Sequence, residues 1–145
     1  MSNRMILLVE DNPDDEALTL RALQKGHVAN LVVVVRDGEE ALEYLFRTGR
    51  YADVKDPLPE VIMLDLKLPK VSGLEVLKQL RANPATSLIP VAILTSSREE
   101  RDLVEGYSLG ANSFIVKPVD MEQFTTAVQQ VGLYWLLLNQ VPGRV

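Results

Sequence analysis

Five short aliphatic runs, separated by segments long enough for a helix, constrain the fold of this chain more than any other feature. Each run has four or five residues and few polar side chains, as expected for strands buried on both faces of a parallel sheet. The runs are residues 5–9, 31–35, 61–64, 91–94 and 113–116. The pattern therefore predicts parallel strands joined by helical crossovers.

The segments between these runs carry apolar residues at helical spacing. Ala17, Leu20 and Leu23 share one face of a helix predicted for residues 13–25. Similar stripes predict helices over residues 37–46, 72–81 and 97–109, and from residue 120 onward. Five β–α repeats predict a doubly wound α/β domain with a five-stranded parallel sheet. Right-handed crossovers favour the flavodoxin-like strand order 2-1-3-4-5.

Length and composition limit both the domain count and the chemistry. The 145 residues suit one domain over residues 1–145, with its core at about 4–130 and a helical extension at 131–145. The sequence has no cysteine, and His27, to which we assign no role, is its only histidine. Thiolate sites and sites with two histidine ligands are excluded, so a carboxylate site would favour a hard cation.

Charge and hydropathy exclude several partners. The net charge of −5 argues against a nucleic-acid-binding surface, which needs clustered Lys and Arg. The longest apolar run, residues 131–138, is far shorter than a membrane span of ~20 residues. The N-terminus does not resemble a signal peptide, because residues 5–9 run directly into Glu10-Asp11. We therefore expect a cytoplasmic protein with no membrane partner.

Chemically capable side chains follow four of the predicted strands. Ligands of open α/β sheets bind at the carboxyl ends of the strands, where these side chains would meet. They are Glu10 and Asp11 after the first run, Asp65 after the third, Thr95 after the fourth and Lys117 after the fifth. Each alone has an ordinary explanation as a solvated turn, a cap or a surface lysine. Their occurrence together at one end of the sheet favours a functional site.

The residue types restrict the reaction. Three converging carboxylates repel one another and need a cation, for which Mg²⁺ is suited when no histidine or cysteine is near. With Lys117 and Thr95, the cation would form a receptor for phosphoryl oxygens. Asp65 is then the natural nucleophile, because an aspartate can form an acyl phosphate.

The combined motifs resemble the response-regulator receiver domain of two-component signalling over about residues 4–130. The motifs are Glu10-Asp11, Asp65-x-x-x-Pro69-x-x-x-Gly73, Thr95-Ser96 and Lys117-Pro118. The resemblance implies that Asp65 is the phosphoacceptor. It implies Asp11 as a direct Mg²⁺ ligand, Glu10 as a ligand through water and the Lys67 backbone carbonyl as a further ligand. It also implies Thr95 as the switch hydroxyl, Phe114 as the aromatic switch residue and Lys117 as the phosphate contact, with a cis bond to Pro118.

Within this family, the chain is similar to the small regulators paired with phytochrome histidine kinases. The similarity rests on Glu-Asp-Asn-Pro-Asp-Asp at 10–15, Gly-Arg-Tyr at 49–51, Asp-Leu-Lys-Leu-Pro-Lys at 65–70 and the segment 112–119. Two features depart from the common family pattern. Glu10 replaces the commoner Asp, and Lys67 and Ser97 occupy positions that tune hydrolysis in the family. We expect an acyl phosphate longer-lived than that of a fast chemotaxis regulator.

The output of such a receiver must be a surface. About 15 residues follow Gln130, too few for a DNA-binding or enzymatic output domain. The resemblance implies that Thr95 and Phe114 move on phosphorylation and alter the face formed by residues 97–109, the fifth strand and the last helix. Leu133, Leu136 and Leu137 turn the end of that helix apolar on its outer side, which favours a homodimer or a kinase-docking site. The alternative is that this tail folds back on its own domain.

The sequence fits three alternative functions less well than it fits a receiver. An aspartyl phosphohydrolase of the haloacid-dehalogenase type needs an acid two residues after Asp65, where Lys67 stands. A flavin- or nucleotide-binding module needs a phosphate loop rich in Gly, Ser or Thr, whereas the loop at 10–15 is acidic. A receiver that acts as an unphosphorylated scaffold is disfavoured by the intact acids, Thr95 and Lys117. We therefore expect a receiver rather than an enzyme.

Overall fold

A five-stranded parallel sheet forms the centre of the protein. The computed structural model describes residues 5–26, 31–96, 108–111 and 113–130. The strand order is β2-β1-β3-β4-β5, which confirms the predicted topology. The strands are β1 (Met5–Val9), β2 (Leu31–Val35), β3 (Val61–Asp65), β4 (Val91–Thr95) and β5 (Ser113–Val116).

Four helices in the described part of the chain follow the predicted segments. They are α1 (Pro13–Lys25), α2 (Gly38–Phe46), α3 (Gly73–Ala82) and α4 (Met121–Gln130), with a short 3₁₀ turn at Gly49–Tyr51. Asn12, Asp37 and Ser72 precede α1, α2 and α3, and each side chain accepts backbone N–H bonds as an N-cap. Most of the helix predicted for 97–109 lies outside the described residues, as does His27. No described helix is long and apolar enough to cross a membrane.

Two apolar layers cover the two faces of the sheet. Alternate side chains of the central strands point to opposite faces, so Leu7 and Ile62 join one layer while Ile6 and Met63 join the other. Helices α2 and α3 complete the first layer, mainly through Leu45, Val76, Leu77 and Leu80. Helices α1 and α4 complete the second, mainly through Leu23, Phe124 and Ala127. This sandwich leaves the carboxyl ends of the strands free to carry a site.

The edge strand β2 departs from the expected burial on both faces. Leu31 is 61% exposed, and Val32, Val33 and Val34 are half-buried. The central strands β1, β3 and β4 are buried throughout. The other edge strand, β5, is half-buried at Phe114 and Val116. The expectation of full burial was therefore wrong at both edge strands, because an edge strand has a neighbour on only one side.

The long connection between α2 and β3 packs against α2. Arg47 adopts a left-handed backbone conformation (φ 57°), and its guanidinium donates to the Tyr44 carbonyl at 2.8 Å and the Asp56 carbonyl at 2.6 Å. The ring of Tyr51 meets that of Tyr44 edge-on, with centroids 5.1 Å apart. The Tyr51 hydroxyl donates to Glu40 Oε2 at 2.5 Å. The connection is therefore an anchored surface feature.

Arg81, near the end of α3, joins two connections that precede β4 and β5. Its guanidinium donates to the Gly110 carbonyl at 2.8 and 3.0 Å, the Ser87 carbonyl at 3.1 Å and the Ile89 carbonyl at 2.8 Å. Three backbone acceptors from two separate connections thus share one side chain. This arrangement ties the segments that precede β4 and β5 to the end of α3.

Candidate acidic site at the carboxyl ends of the strands

The loops that follow β1, β3, β4 and β5 surround an open cavity of about 210 Å³. The residues that line it are Asp11, Asn12, Asp15, Asp65, Lys67, Thr95, Ser96 and Lys117. Glu10 lies fully buried next to this cavity and contacts Lys117. The structure therefore brings together the side chains that the sequence predicted to converge after the four strands.

Three carboxylates form a cluster that could hold a metal ion. One oxygen from each of Glu10, Asp11 and Asp65 lies within 4.8 Å of the other two. Asp65 is the last residue of β3 and is 5% exposed, whereas Asp11 is exposed. Glu10 follows β1 directly, and its Oε2 accepts the Asn12 backbone N–H at 3.2 Å. The predicted acids thus differ in depth, with Glu10 innermost and Asp11 at the surface.

Lys117 is the cation at the centre of the site. Its Nζ donates to Asp65 Oδ2 at 2.8 Å, Glu10 Oε1 at 3.0 Å and Asp15 Oδ2 at 3.0 Å. Its side chain is 10% exposed, so it is not the surface lysine that Lys117 alone would suggest. The Lys117-Pro118 peptide bond is cis, as the resemblance implied. The three contacts tie the end of β5 to β1, α1 and β3.

Asp15 is a site residue that the sequence analysis missed. It lies in the first turn of α1, and its backbone N–H is held by Asn12 Oδ1 at 3.0 Å. The available signal was its position three residues after the Asn12 N-cap, where an acid also stabilises the helix N-terminus. That ordinary role hid its second contact, because the direction of the side chain depends on where Lys117 lies.

Burial and crowding perturb the charges of the cluster. Burial, and then the hydrogen bond and repulsion from Asp65, raise the pKa of Glu10 to about 7. Burial alone would lower the pKa of Lys117, but hydrogen bonds to Asp65, Asp15 and Glu10 hold it above its ordinary value. Three carboxylates thus share the ammonium of Lys117, and Asp11 adds a fourth carboxylate to the site. This excess of oxygen ligands and negative charge fits a hard divalent cation.

Thr95 and Phe114 occupy neighbouring strands. Thr95 ends β4, is 2% exposed and lines the cavity, and its carbonyl accepts the Lys117 backbone N–H at 2.9 Å. Phe114 lies in β5 and is half-buried against the core layer of α2 and α3. Ser97, the second predicted tuning position, lies outside the described residues.

The loop after β3 is held close to Asp65. The Lys67 backbone N–H donates to Asp65 Oδ1 at 3.2 Å, and the Lys67 side chain is exposed at the cavity. The Gly73 N–H donates to the Leu66 carbonyl at 2.9 Å. A Cβ added to Gly73 would overlap the Asp65 carbonyl oxygen and lie 2.8 Å from Leu66 Cα. Only a glycine therefore permits this approach of α3 to the end of β3.

The geometry combines a carboxylate nucleophile with groups that stabilise phosphoryl oxygens. Asp65 is open to the cavity, Lys117 supplies positive charge beside it, and Thr95 supplies a hydroxyl. Such groups stabilise the charge of a transferring phosphoryl group by position and electrostatics. The acidic lining would repel a bound nucleotide, which disfavours the flavodoxin-type alternative.

Comparison with known proteins agrees with this site. The family description "Response regulator receiver domain" matches residues 6–129. The solved structure of the bacteriophytochrome response regulator AtBRR is 56% identical, with a TM-score of 0.88, and the match covers 97% of this chain and all of that chain. The bacteriophytochrome response regulator RtBRR is 49% identical, with a TM-score of 0.87, over 98% of this chain and 86% of that chain.

A curated relative extends the comparison to a cyanobacterium. Response regulator Rcp1 of Synechocystis sp. is 35% identical over 140 residues, which cover 97% of this chain and 94% of the relative. The Mn²⁺-bound structure of Rcp1 matches with a TM-score of 0.75 and 35% identity, over 92% of this chain and 94% of that chain. These matches span nearly the whole length of each protein.

Proposed function

The chain belongs to the response regulator receiver domain family, and from this premise we propose that Asp65 accepts a phosphoryl group from a histidine kinase. In this transfer the phosphorus–nitrogen bond to the kinase histidine breaks as a bond to an Asp65 carboxylate oxygen forms. The electron pair stays on the imidazole nitrogen, which takes up a proton. The observation that carries the proposal is the 2.8 Å contact of Asp65 with Lys117 in a cavity wide enough for a phosphoryl group.

Mg²⁺ is the cation we assign to the acidic cluster. Glu10, Asp11 and Asp65 would hold it, together with the backbone carbonyl of Lys67. When bound, Mg²⁺ supplies positive charge to the phosphoryl oxygens. The oxygen-only donor set and the charge excess around Lys117 support this assignment. The Mn²⁺-bound form of Rcp1 adds support, because Mn²⁺ and Mg²⁺ share a preference for oxygen ligands.

The response to phosphorylation is a change of surface. Thr95 moves toward the phosphoryl group, and Phe114 fills the space that the threonine leaves. Support comes from the position of Thr95 at the cavity and of Phe114 on the adjoining strand. Around Phe114, residues of α4 form a second shallow cavity, lined by Glu122, Gln123, Thr126 and Gln130. A small shift of the aromatic ring would change this face.

We assign a phytochrome-type histidine kinase as the partner. The assignment rests on the similarity to two bacteriophytochrome response regulators over nearly their whole length. The proposed homodimer rests on the sequence alone, because Leu133, Leu136 and Leu137 lie outside the described residues. Sedimentation tests it: the native protein should sediment as a dimer, and Leu133→Lys should shift it to a monomer.

Phosphorylation by acetyl phosphate, read by intact mass, tests the central proposal. The native protein with Mg²⁺ should gain one phosphoryl group, and both removal of Mg²⁺ and Asp65→Asn should abolish the gain. Asp53→Asn is the matched control, because Asp53 is an exposed aspartate away from the site, and it should behave as the native protein. A gain that persists in Asp65→Asn would show that another residue is the acceptor.

A further inference from the structure

One carboxylate of the site has no part in the function proposed above. Asp15 reaches Lys117 from the first turn of α1, with Oδ2 3.0 Å from Nζ. Its two acidic neighbours in that turn do not make this contact. Asp14 is exposed, and Glu16 pairs with Arg36 at 3.0 Å on the surface. The contact of Asp15 is therefore specific to its position and is not a general consequence of an acidic first turn.

The contacts of Lys117 leave it no spare hydrogen. An ammonium group has three N–H donors. Asp65, Glu10 and Asp15 each accept from Nζ at 2.8 to 3.0 Å. A phosphoryl oxygen that binds Lys117 must therefore displace one of the three carboxylates.

Exposure decides which carboxylate gives way. The side chain of Glu10 is fully buried, so loss of its partner would leave a desolvated carboxylate. Asp65 loses its own carboxylate charge when it becomes the acyl phosphate, and its phosphoryl oxygens then offer Lys117 several acceptors in place of one. Asp15 is 30% exposed and can exchange Lys117 for water at small cost. Of the two contacts that do not involve the acceptor itself, the one between Asp15 and Lys117 is therefore the easier to open.

We propose that Asp15 is a positioning residue that competes with the phosphoryl group for the ammonium of Lys117. The contact stabilises the unphosphorylated state and is lost as the phosphoryl group arrives, so it slows phosphorylation. It re-forms as the acyl phosphate is hydrolysed, so it shortens the lifetime of the phosphorylated state. No proton moves in this exchange, because the ammonium only changes one oxygen acceptor for another. This inference rests on phosphorylation of Asp65.

Substitution of Asp15 tests the competition. Asp15→Asn removes the charge and keeps the shape, and should raise the maximal rate of phosphorylation by acetyl phosphate with Mg²⁺ by about two- to fivefold. The half-life of the acyl phosphate should lengthen by a similar factor. Asp15→Glu retains a carboxylate and should stay closer to the native rates. The matched control is Asp14→Asn, which removes the same charge from the same turn without touching Lys117.

The direction of the effect separates competition from support. If Asp15 only held the site in shape, Asp15→Asn would slow phosphorylation, and that result would overturn the inference. Equal acceleration in Asp14→Asn would also overturn it, because the cause would then be general charge. Should Asp15→Asn not fold, as checked by urea unfolding, Asp15→Ser carries the same expectation. Absence of phosphorylation in the native protein and in Asp14→Asn would instead refute the proposed function.

Discussion

Replacement of Gly73 by alanine should impair phosphorylation by displacing the backbone at Asp65, although Gly73 does not line the cavity. Gly73 begins α3 and lies against the backbone of Asp65, the proposed acceptor, although a glycine has no reactive side chain. The added Cβ would overlap the Asp65 carbonyl oxygen and lie 2.8 Å from Leu66 Cα. Both neighbours are backbone atoms, so no side-chain rotation can relieve the contact.

The size of the effect follows from the displacement that the methyl group requires. Non-bonded carbon atoms rest at about 3.5–4.0 Å, so the end of β3 and the start of α3 must separate by roughly 1 Å. Overpacking of this kind destabilises a fold by about 1–3 kcal/mol. A displacement of roughly 1 Å at a reacting group can lower a rate by about 100-fold. We therefore expect Gly73→Ala to impair phosphorylation far more than its loss of stability would suggest.

Two measurements on two variants test this reasoning. Urea unfolding gives the free energy of unfolding, and acetyl phosphate with Mg²⁺ gives the phosphorylation rate under conditions where the variant is still folded. Gly26→Ala is the matched control, because the nearest atoms to its added Cβ all belong to the flexible Met121 side chain. That variant should keep the native phosphorylation rate. If Gly73→Ala matched the native protein in both stability and rate, the steric argument would be refuted.

Two further predictions concern the frame around the site. Arg81→Met leaves three backbone carbonyls without their charged donor and should lower the free energy of unfolding by about 2–3 kcal/mol, measured in urea; an unchanged midpoint would contradict it. Burial, and then the hydrogen bond to Glu40, raise the pKa of Tyr51 to about 12. Because this folded-state pKa lies above the ordinary value, the stabilisation is complete below pH ~10 and is lost as pH rises through the folded value. The difference in phenolate absorbance between the native protein and Tyr51→Phe reports the ionisation of Tyr51. This difference should develop near pH 12, and its development near pH ~10 would refute the assignment.

The strand order and the clustering of the carboxylates with Lys117 could be predicted from the sequence. Aliphatic runs with few polar residues define strands by themselves, and parallel connection brings their ends to one edge. This reasoning placed Asp65 and Lys117 together although 52 residues separate them. It required no knowledge of side-chain direction.

The burial and the side-chain direction of individual site residues could not be predicted from the sequence. Glu10 and Asp11 are adjacent acids, yet one is fully buried and the other exposed, because successive side chains after a strand point to opposite sides. Asp15 has the same local pattern as Asp14, and only the position of Lys117 distinguishes them. The exposure of β2 depends on its place at the sheet edge, which the apolar run 31–35 does not reveal.

The contacts of Lys117 join residues that are far apart in the sequence, so the site can be completed only late in synthesis. Lys117 meets Glu10 across 107 residues and Asp15 across 102, so the first and last strands share one ion cluster. A ribosome delivers the acids long before the lysine, at about 5–20 residues per second. A partly synthesised chain therefore carries Asp65, the proposed acceptor, without the lysine that contacts it. We therefore expect the site to become competent for the proposed phosphorylation only once β5 has joined the sheet.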